Sequence, residues 1–476
     1  MKTLKKHTSL VVLLTTVAIF AGCKVSKDVT VKDVRVPEAY ANTTTDTSSI
    51  ARLPWEKFFN DPELNQLISD AINHNFDLQV AIKDIDAAAQ VLKQSKWNNV
   101  PAVNAQATAN TSRPSDNSLN GLSLGQYLNQ KHIEDYTVSA SLSWEADLWG
   151  KIRSQSAGAL AAYLKTQEAT KAVQTKIVND VAKGYYNLLM LDEQLQIARQ
   201  NVALNDSTLS MIKLQYAAGK VTSLAIQQAN AQRLEAAGLV PQFEEQLNAQ
   251  QNALCILTGK YPAEIPHKRR LTEVSSEGIL AAGVPADLLG NRPDIKLAEL
   301  DIEQQNAAVG YAKASMYPSL TITAQGGLDA FKASNWFNIP SSLFGAVTAG
   351  LAQPLLNQRR LKTNYEVAKV RREQSVIRFR QSVLAAVGEV SDDLVKINKF
   401  REKQNLATER VSTLELATRN SQMLFGNGLA TYLEVITAQS SVLQSQLELS
   451  SVKKSELDAR VDLYRAVGGG WRSAQQ

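Results

Sequence analysis

Apolar and polar residues alternate along this chain in two rhythms, and the same succession of rhythms runs twice. Over 63–97 apolar residues return every three or four positions, which predicts a helix with one buried stripe. "DPELNQLI" opens it: Asp61 is suited to cap the first turn, Pro62 to occupy it, and Glu63 to face the positive helix end. Pro101 closes the junction, and the period then drops to two. In "YTVSASLSW", Tyr136, Val138, Ala140, Leu142 and Trp144 alternate with Thr137, Ser139, Ser141 and Ser143, a strand with one apolar and one hydroxyl face. "VNAQATANT", with Val103, Ala105, Ala107 and Ala109 on one side, is its expected partner. "SLTITAQGG" from Ser319 and "LFGAVTAGLAQ" from Leu343 supply a second pair, giving four strands. The links at 112–134 and 329–342 are rich in Asn, Ser and Gly and read as loops.

Long helical periods follow each strand pair. Neither Lys151–Ala218 nor Arg359–Phe425 contains a proline, and each would reach about 100 Å as one helix. Ile177, Val181, Tyr185, Leu188, Leu191 and Leu195 recur at coiled-coil spacing, a seam rather than burial on all sides. Gly219 or Gly428 then reverses the chain, and a shorter helix returns to Thr258 or Val467. At an offset of 209 residues, Gly219 falls on Gly428, Leu224 on Leu433 and Gly259 on Gly468. At an offset of 217, "NFDLQVA" from Asn75 falls on "RPDIKLA" from Arg292, and Pro101 on Pro318. Two copies of one unit, 60–258 and 285–468, are therefore expected, joined by a segment at 259–284 and followed by a tail at 469–476.

Composition changes the picture at the N-terminus. "MKTLKKH" and the apolar run "SLVVLLTTVAIF" make residues 1–22 a removable export signal, the run being too short for a span of about 20 apolar residues. "AGC" at Ala21–Cys23 resembles a bacterial lipobox, with Phe20 where such boxes usually carry Leu. Cys23 would then be acylated and begin an N-terminal extension at 23–60, each buried methylene adding about 0.8 kcal/mol of membrane affinity. Without Lys2, Lys5 and Lys6 the formal charge of +5 falls to about +2, too balanced to indicate a nucleic-acid partner. Cys255, the other cysteine, reads as a small core hydrophobe.

Small apolar residues on one face and hydroxyls on the other make a poor core for a soluble sheet. They suit transmembrane strands, which turn apolar side chains to lipid and polar ones to a lumen. Unpaired amides cost several kcal/mol each in lipid, so such a sheet has to close on itself. Single-chain barrels begin at about eight strands, so four must be pooled with those of other copies. Tyr136, Trp144, Tyr317, Trp336 and Phe337 are candidates for aromatic girdles.

"LPWEKFFNDPELNQLISDAINHNFDLQVA" (Leu53–Ala81), "VPADLLGNRPDIKLAE" (Val284–Glu299) and "FGNGLATYLEVITAQ" (Phe425–Gln439) resemble the signature blocks of outer-membrane efflux factors of the TolC and OprM type, most nearly the lipid-anchored NodT subfamily. The resemblance implies a mixed, mostly α-helical fold and a homotrimer. Its long coiled-coil helices would form a periplasmic α-barrel, and its strands one shared 12-stranded transmembrane β-barrel. The trimer would sit in outer-membrane lipid as the passive exit duct of a tripartite RND-type pump. A periplasmic adaptor protein would dock it to an inner-membrane transporter. The resemblance also places the adaptor-docking tips at Gly219, Lys220, Val221, Thr222 and Ser223, and at Gly428, Leu429, Ala430, Thr431 and Tyr432. Glu434 matches a periplasmic gate position, while Thr437 stands where a second aspartate is usual, and copy one has Ala225 at the equivalent site.

Catalytic patterns are weak. "GLSLG" around Ser123 fits G-x-S-x-G but lies in an Asn-rich link rather than a strand-to-helix elbow, and nearby His132 makes no triad by proximity alone. No Gly-Lys pair is followed by Ser or Thr, and His74, His132 and His267 show no metal-ligand spacing. The alternative of another class is a periplasmic coiled-coil adaptor or scaffold without a pore, which needs no lipid-compatible strands.

Overall fold

The structure, a computed structural model, describes residues 25–30, 37, 39–40, 49–128, 130–275 and 282–474; the export signal and Cys23 lie outside the described residues. Two compact units make up the chain, and each draws on both copies of the repeat. One comprises Met1–Lys32, Asp86–Leu164 and Glu299–Ile377, the other Asp33–Ile85, Lys165–Ala298 and Arg378–Gln476. The helices among the described residues are α1 Trp55–Phe59, α2 Pro62–His74, α3 Phe76–Trp97, α4 Leu119–Ser123, α5 Lys151–Ala217, α6 Ser223–Leu257, α7 Leu288–Asn291, α8 Pro293–Ala314, α9 Arg360–Gly426 and α10 Tyr432–Ala466.

The first unit holds four strands, β1 Ala102–Ser112, β2 Ile133–Ala146, β3 Ser319–Ala330 and β4 Leu343–Ala352. They form one antiparallel sheet in the order β1-β2-β3-β4, so β1 and β4 are its two edges. The link at 112–134, expected as loop, carries α4 and a single π turn at Leu124–Leu128. Ser118 accounts for the difference: its Oγ accepts the Gly121 N–H at 3.1 Å and caps a helix that the Asn-rich composition conceals. The link at 329–342 holds only a short 3₁₀ turn, Ala333–Asn335.

In the second unit the single helix expected over 63–97 is broken in two at Asn75. The apolar period runs through the break unchanged, so periodicity cannot reveal it. Asn75 is extended; its Oδ1 accepts the Leu78 N–H at 3.2 Å and its Nδ2 donates to the Leu257 carbonyl at 2.9 Å. Copy two breaks at the equivalent residue. Arg292, between α7 and α8, donates from Nη1 to the Ala466 carbonyl at 2.8 Å. Asn75 and Arg292 are 217 positions apart, Leu257 and Ala466 209, so the same joint is built twice with different side chains.

The helices α5 and α9 each run 67 residues unbroken, and the returning α6 and α10 each run 35. The predicted seam is buried, with Val181, Tyr185 and Leu188 fully enclosed. Polar side chains join it as well: Gln439 donates from Nε2 to Thr208 Oγ1 at 2.8 Å, both buried.

Candidate functional site

Strand register gathers the apolar positions onto one face. Val103 lies opposite Leu142, Leu142 opposite Ala324, and Ala324 opposite Val347, while the adjacent row runs Asn104, Ser141, Gln325 and Ala346. Among the described residues nothing covers the apolar side of the edge strands: Val103 is 67% exposed and Val347 79%. The sheet therefore presents an uncovered hydrocarbon face together with two unpaired backbone edges.

Aromatic rings mark its two ends. At one, Tyr136 meets Trp336 with centroids 5.4 Å apart, and Trp336 meets Phe337 at 5.2 Å. At the other, Trp149 stacks on Tyr317 at 5.0 Å, and Trp144 donates from Nε1 to the Asn99 carbonyl at 3.0 Å. Tyr136 and Trp144 share a face eight residues apart, about 26 Å at 3.3 Å per residue, against an apolar band of about 25 Å in membrane barrels. Trp149 was missed by sequence reasoning. It follows β2 where the alternation has ended, and only its place between strand and long helix hinted at a boundary role.

The helical hairpins turn on Gly219 and Gly428, with φ of +67° and +73°, the left-handed region that glycine tolerates best. Each turn closes the same two bonds: Gly219 N–H to the Tyr216 carbonyl and Lys220 N–H to Gln215, and Gly428 N–H to Phe425 and Leu429 N–H to Leu424. The two tips pack on each other. Leu209, Ile212, Ala225, Phe425 and Val435 form a buried cluster, against which Val221, Ala430 and Tyr432 rest. Tyr432 Oη donates to Gln228 Oε1 at 2.5 Å, and Gln215 Nε2 to the Phe425 carbonyl at 3.2 Å. The predicted tip residues thus fall into two sets. Val221, Ala430 and Tyr432 hold the tips together, while Gly219, Lys220, Thr222, Ser223, Gly428, Leu429 and Thr431 are exposed. Leu224 and Leu433, equivalent across the repeat, are also exposed, at 53% and 54%.

Glu434 is exposed in the first turn of α10 and already has partners: its Oε2 accepts from the Thr431 N–H and, at 3.1 Å, from Thr431 Oγ1. This is a capping box, in which the carboxylate also favours the positive helix end. Its counterpart Ala225 is fully buried, so only copy two carries an exposed charge here.

The "RPD" block acquires a physical meaning. The Arg292 side chain is buried, forks onto both Asp294 oxygens at 3.0 and 2.6 Å, and reaches Glu389 Oε2 at 2.8 Å in addition to Ala466. Burial raises the Asp294 pKa, but the hydrogen bonds and charge of Arg292 outweigh it and hold the carboxyl below its ordinary value. Pro293 begins α8, where its missing N–H is not needed.

Other candidates find ordinary surroundings. Ser123 ends the short α4, with no strand leading into it. Cys255 is buried in α6, its thiol 3.4 Å from the Ala263 carbonyl. Among the described residues no cluster of three or more His, Cys, Asp or Glu side chains could hold a metal ion, and no helix is long and apolar enough to cross a membrane.

A family model described as outer membrane efflux protein matches the chain twice, over residues 67–260 and 284–469. The solvent efflux pump outer membrane protein SrpC of Pseudomonas putida is 30% identical over 441 residues, 92% of each chain. The probable outer membrane lipoprotein SilC of Salmonella typhimurium is 26% identical over 464 residues, 96% of this chain and 98% of that one. Among solved structures, the open state of the MtrE outer membrane channel of Neisseria gonorrhoeae matches with a TM-score of 0.81 at 22% identity, over 95% of this chain and 98% of that one, a likeness of fold. Joined to an open sheet with one hydrocarbon face and to a doubled helical hairpin, this twofold match shows that the chain belongs to the outer membrane efflux protein family.

Proposed function

We propose that this chain is the outer-membrane channel subunit of a tripartite efflux system, a passive duct for substrates handed on by an inner-membrane transporter through a periplasmic adaptor. The open sheet carries the reading. Four strands with an uncovered apolar face and two free edges cannot be satisfied in lipid alone, and three copies would close twelve strands into one barrel. The long helices α5 and α9 would extend that barrel into a periplasmic tunnel, in the TolC-like manner. An adaptor in place of a channel would leave the lipid-compatible strands without a purpose. Nothing in this role requires catalytic residues, since energy enters through the transporter. Acylation at Cys23 would anchor each subunit in the same membrane, as the lipoprotein relative supports. The exposed tip residues and Leu224 and Leu433 would meet the adaptor's helical hairpins, while the packed set keeps the tips in shape.

Extraction in detergent followed by mass measurement and heat-dependent gel migration tests the assembly. A trimer that converts to monomer on boiling is expected; a water-soluble monomer without detergent overturns the duct.

Three Glu434 carboxylates around the tunnel axis would repel anions and resist close approach. Gln at this position keeps the capping box and removes the charge. Glu434→Gln should therefore raise conductance in planar bilayers, or relieve block by divalent cations, as fully as Glu434→Ala does. A change with Ala alone would assign Glu434 to the cap, and no change with Gln would take its charge out of the gate.

A further inference from the structure

A short stretch just downstream of Cys23 is fastened by side chains from two helices. Val29 gives both of its backbone groups to one amide: its N–H donates to Asn306 Oδ1 at 3.0 Å, and Asn306 Nδ2 donates to its carbonyl at 2.9 Å. This is the pairing a neighbouring strand would provide, and Asn306 is buried in providing it. Two residues earlier the Lys27 carbonyl accepts from Arg372 Nη1 at 3.2 Å. Ser26 lies over Gly310, where an added Cβ would stand 3.1 Å from Ser26 Oγ and 2.7 Å from Ser154 Oγ. Helices α8 and α9 together thus form a seat for residues 26–29.

The repeat shows that this seat is an addition. Helices α3 and α8 are both 22 residues long and align throughout at an offset of 217. Asn306 then falls on Ala89 and Gly310 on Lys93, so copy one has neither the amide nor the room. A departure from internal symmetry that serves one extra segment calls for a function of that segment.

We propose that Asn306, Gly310 and Arg372 are positioning residues for the lipid anchor: they seat residues 26–29 and so fix where the acylated N-terminus enters the bilayer. The inference rests on acylation at Cys23. From Ser26 to Cys23 is three residues, a reach of at most about 11 Å. From Gly310, four helical steps and three further residues lead to Tyr317, no more than about 17 Å. Tyr317 stacks on Trp149 at the end of the sheet, the ring pair that marks the edge of the apolar band. The acyl chains are thereby held beside the barrel wall of their own subunit, at the height where strands leave the lipid.

Proteinase K digestion of the full-length protein in detergent, with mass spectrometry of the released peptide, tests this. The parent should lose the peptide upstream of the seat slowly. Asn306→Ala should release it about tenfold faster. Arg372→Ala should also release it faster, and Asn306→Asp, which keeps an acceptor for the Val29 N–H, should fall between Ala and the parent. All three variants should keep the parental melting temperature, which a role in general stability would lower. Equal release rates in assembled variants overturn the proposal, as does release that rises only in step with a lowered melting temperature. Should Asn306→Ala fail to assemble, Arg372→Ala, whose side chain is half-exposed, decides. A released peptide without acyl groups overturns the anchor itself, whatever the rates.

Discussion

Val347→Arg should leave no heat-modifiable trimer in the outer membrane, whereas Thr348→Arg should accumulate at close to the parental level. The two positions are neighbours in the middle of β4 and differ in the face they occupy. Val347 is 79% exposed, opposite Ala324 in the apolar row; Thr348 lies opposite Thr323 on the other side. An arginine at the bilayer midplane costs about 2–4 kcal/mol in a barrel strand. A threefold assembly incurs that cost three times, about 6–12 kcal/mol, or more than four powers of ten in an equilibrium. In Thr348→Arg the guanidinium would enter the aqueous lumen, where it should shift ion selectivity toward anions in planar bilayers. If membrane fractions contain Val347→Arg trimers as plentifully as parental ones, the apolar face does not meet lipid.

The sheet was legible in the sequence because a strand exposed on two unlike faces has to alternate at every residue. Alternation puts Val103, Ala105, Ala107 and Ala109 on one face and Tyr136, Val138, Ala140 and Leu142 on one face of the partner strand. The register, which alternation leaves open, sets them opposite Leu142, Ala140, Val138 and Tyr136 in turn. The turns were legible because Gly219 and Gly428 interrupt otherwise continuous helix, and a left-handed reversal has few other solutions. What escaped was held by side chains acting across long separations. Asn75 and Arg292 break helices whose apolar period continues, and their carbonyl partners, Leu257 and Ala466, lie 182 and 174 residues away. Gln439 and Thr208 read as polar surface but bury together, the Gln439 amide donating to the Thr208 hydroxyl oxygen. Glu434 was placed at a gate by likeness to a family, while its capping bonds to Thr431 follow from a helix start that the sequence located only loosely. The seat for residues 26–29 depends on Asn306 and Gly310, 277 residues after Val29 and 284 after Ser26, and no local pattern announces it.

Alanine at four equivalent glycines should separate backbone strain from close contact. Gly219, Gly428, Gly259 and Gly468 end α5, α9, α6 and α10, all at positive φ and all with the same pair of closing hydrogen bonds. A left-handed alanine costs about 1–2 kcal/mol at any of them. Their surroundings differ. A Cβ on Gly219 or Gly428 meets nothing within 4 Å, whereas on Gly259 it would stand 2.4 Å from the His74 carbonyl oxygen and on Gly468 2.7 Å from that of Asn291. His74 and Asn291 immediately precede the two helix breaks, so the backbone would have to retreat from the joints that Asn75 and Arg292 hold. We expect Gly219→Ala and Gly428→Ala to stay within about 2 kcal/mol of the parent, and Gly259→Ala and Gly468→Ala to lose about 4 kcal/mol or more. Gly468→Ala should be the worst, because displacing Arg292 also unpairs it from Asp294 and Glu389, and a buried cation that loses its partners is costly. Thermal melting of the detergent-solubilised trimers measures all four. Equal melting temperatures across the set would mean that the returning helices do not bear on the broken joints, and that the doubled contact between α6 and α2, and between α10 and α7, contributes nothing to holding the hairpins in place.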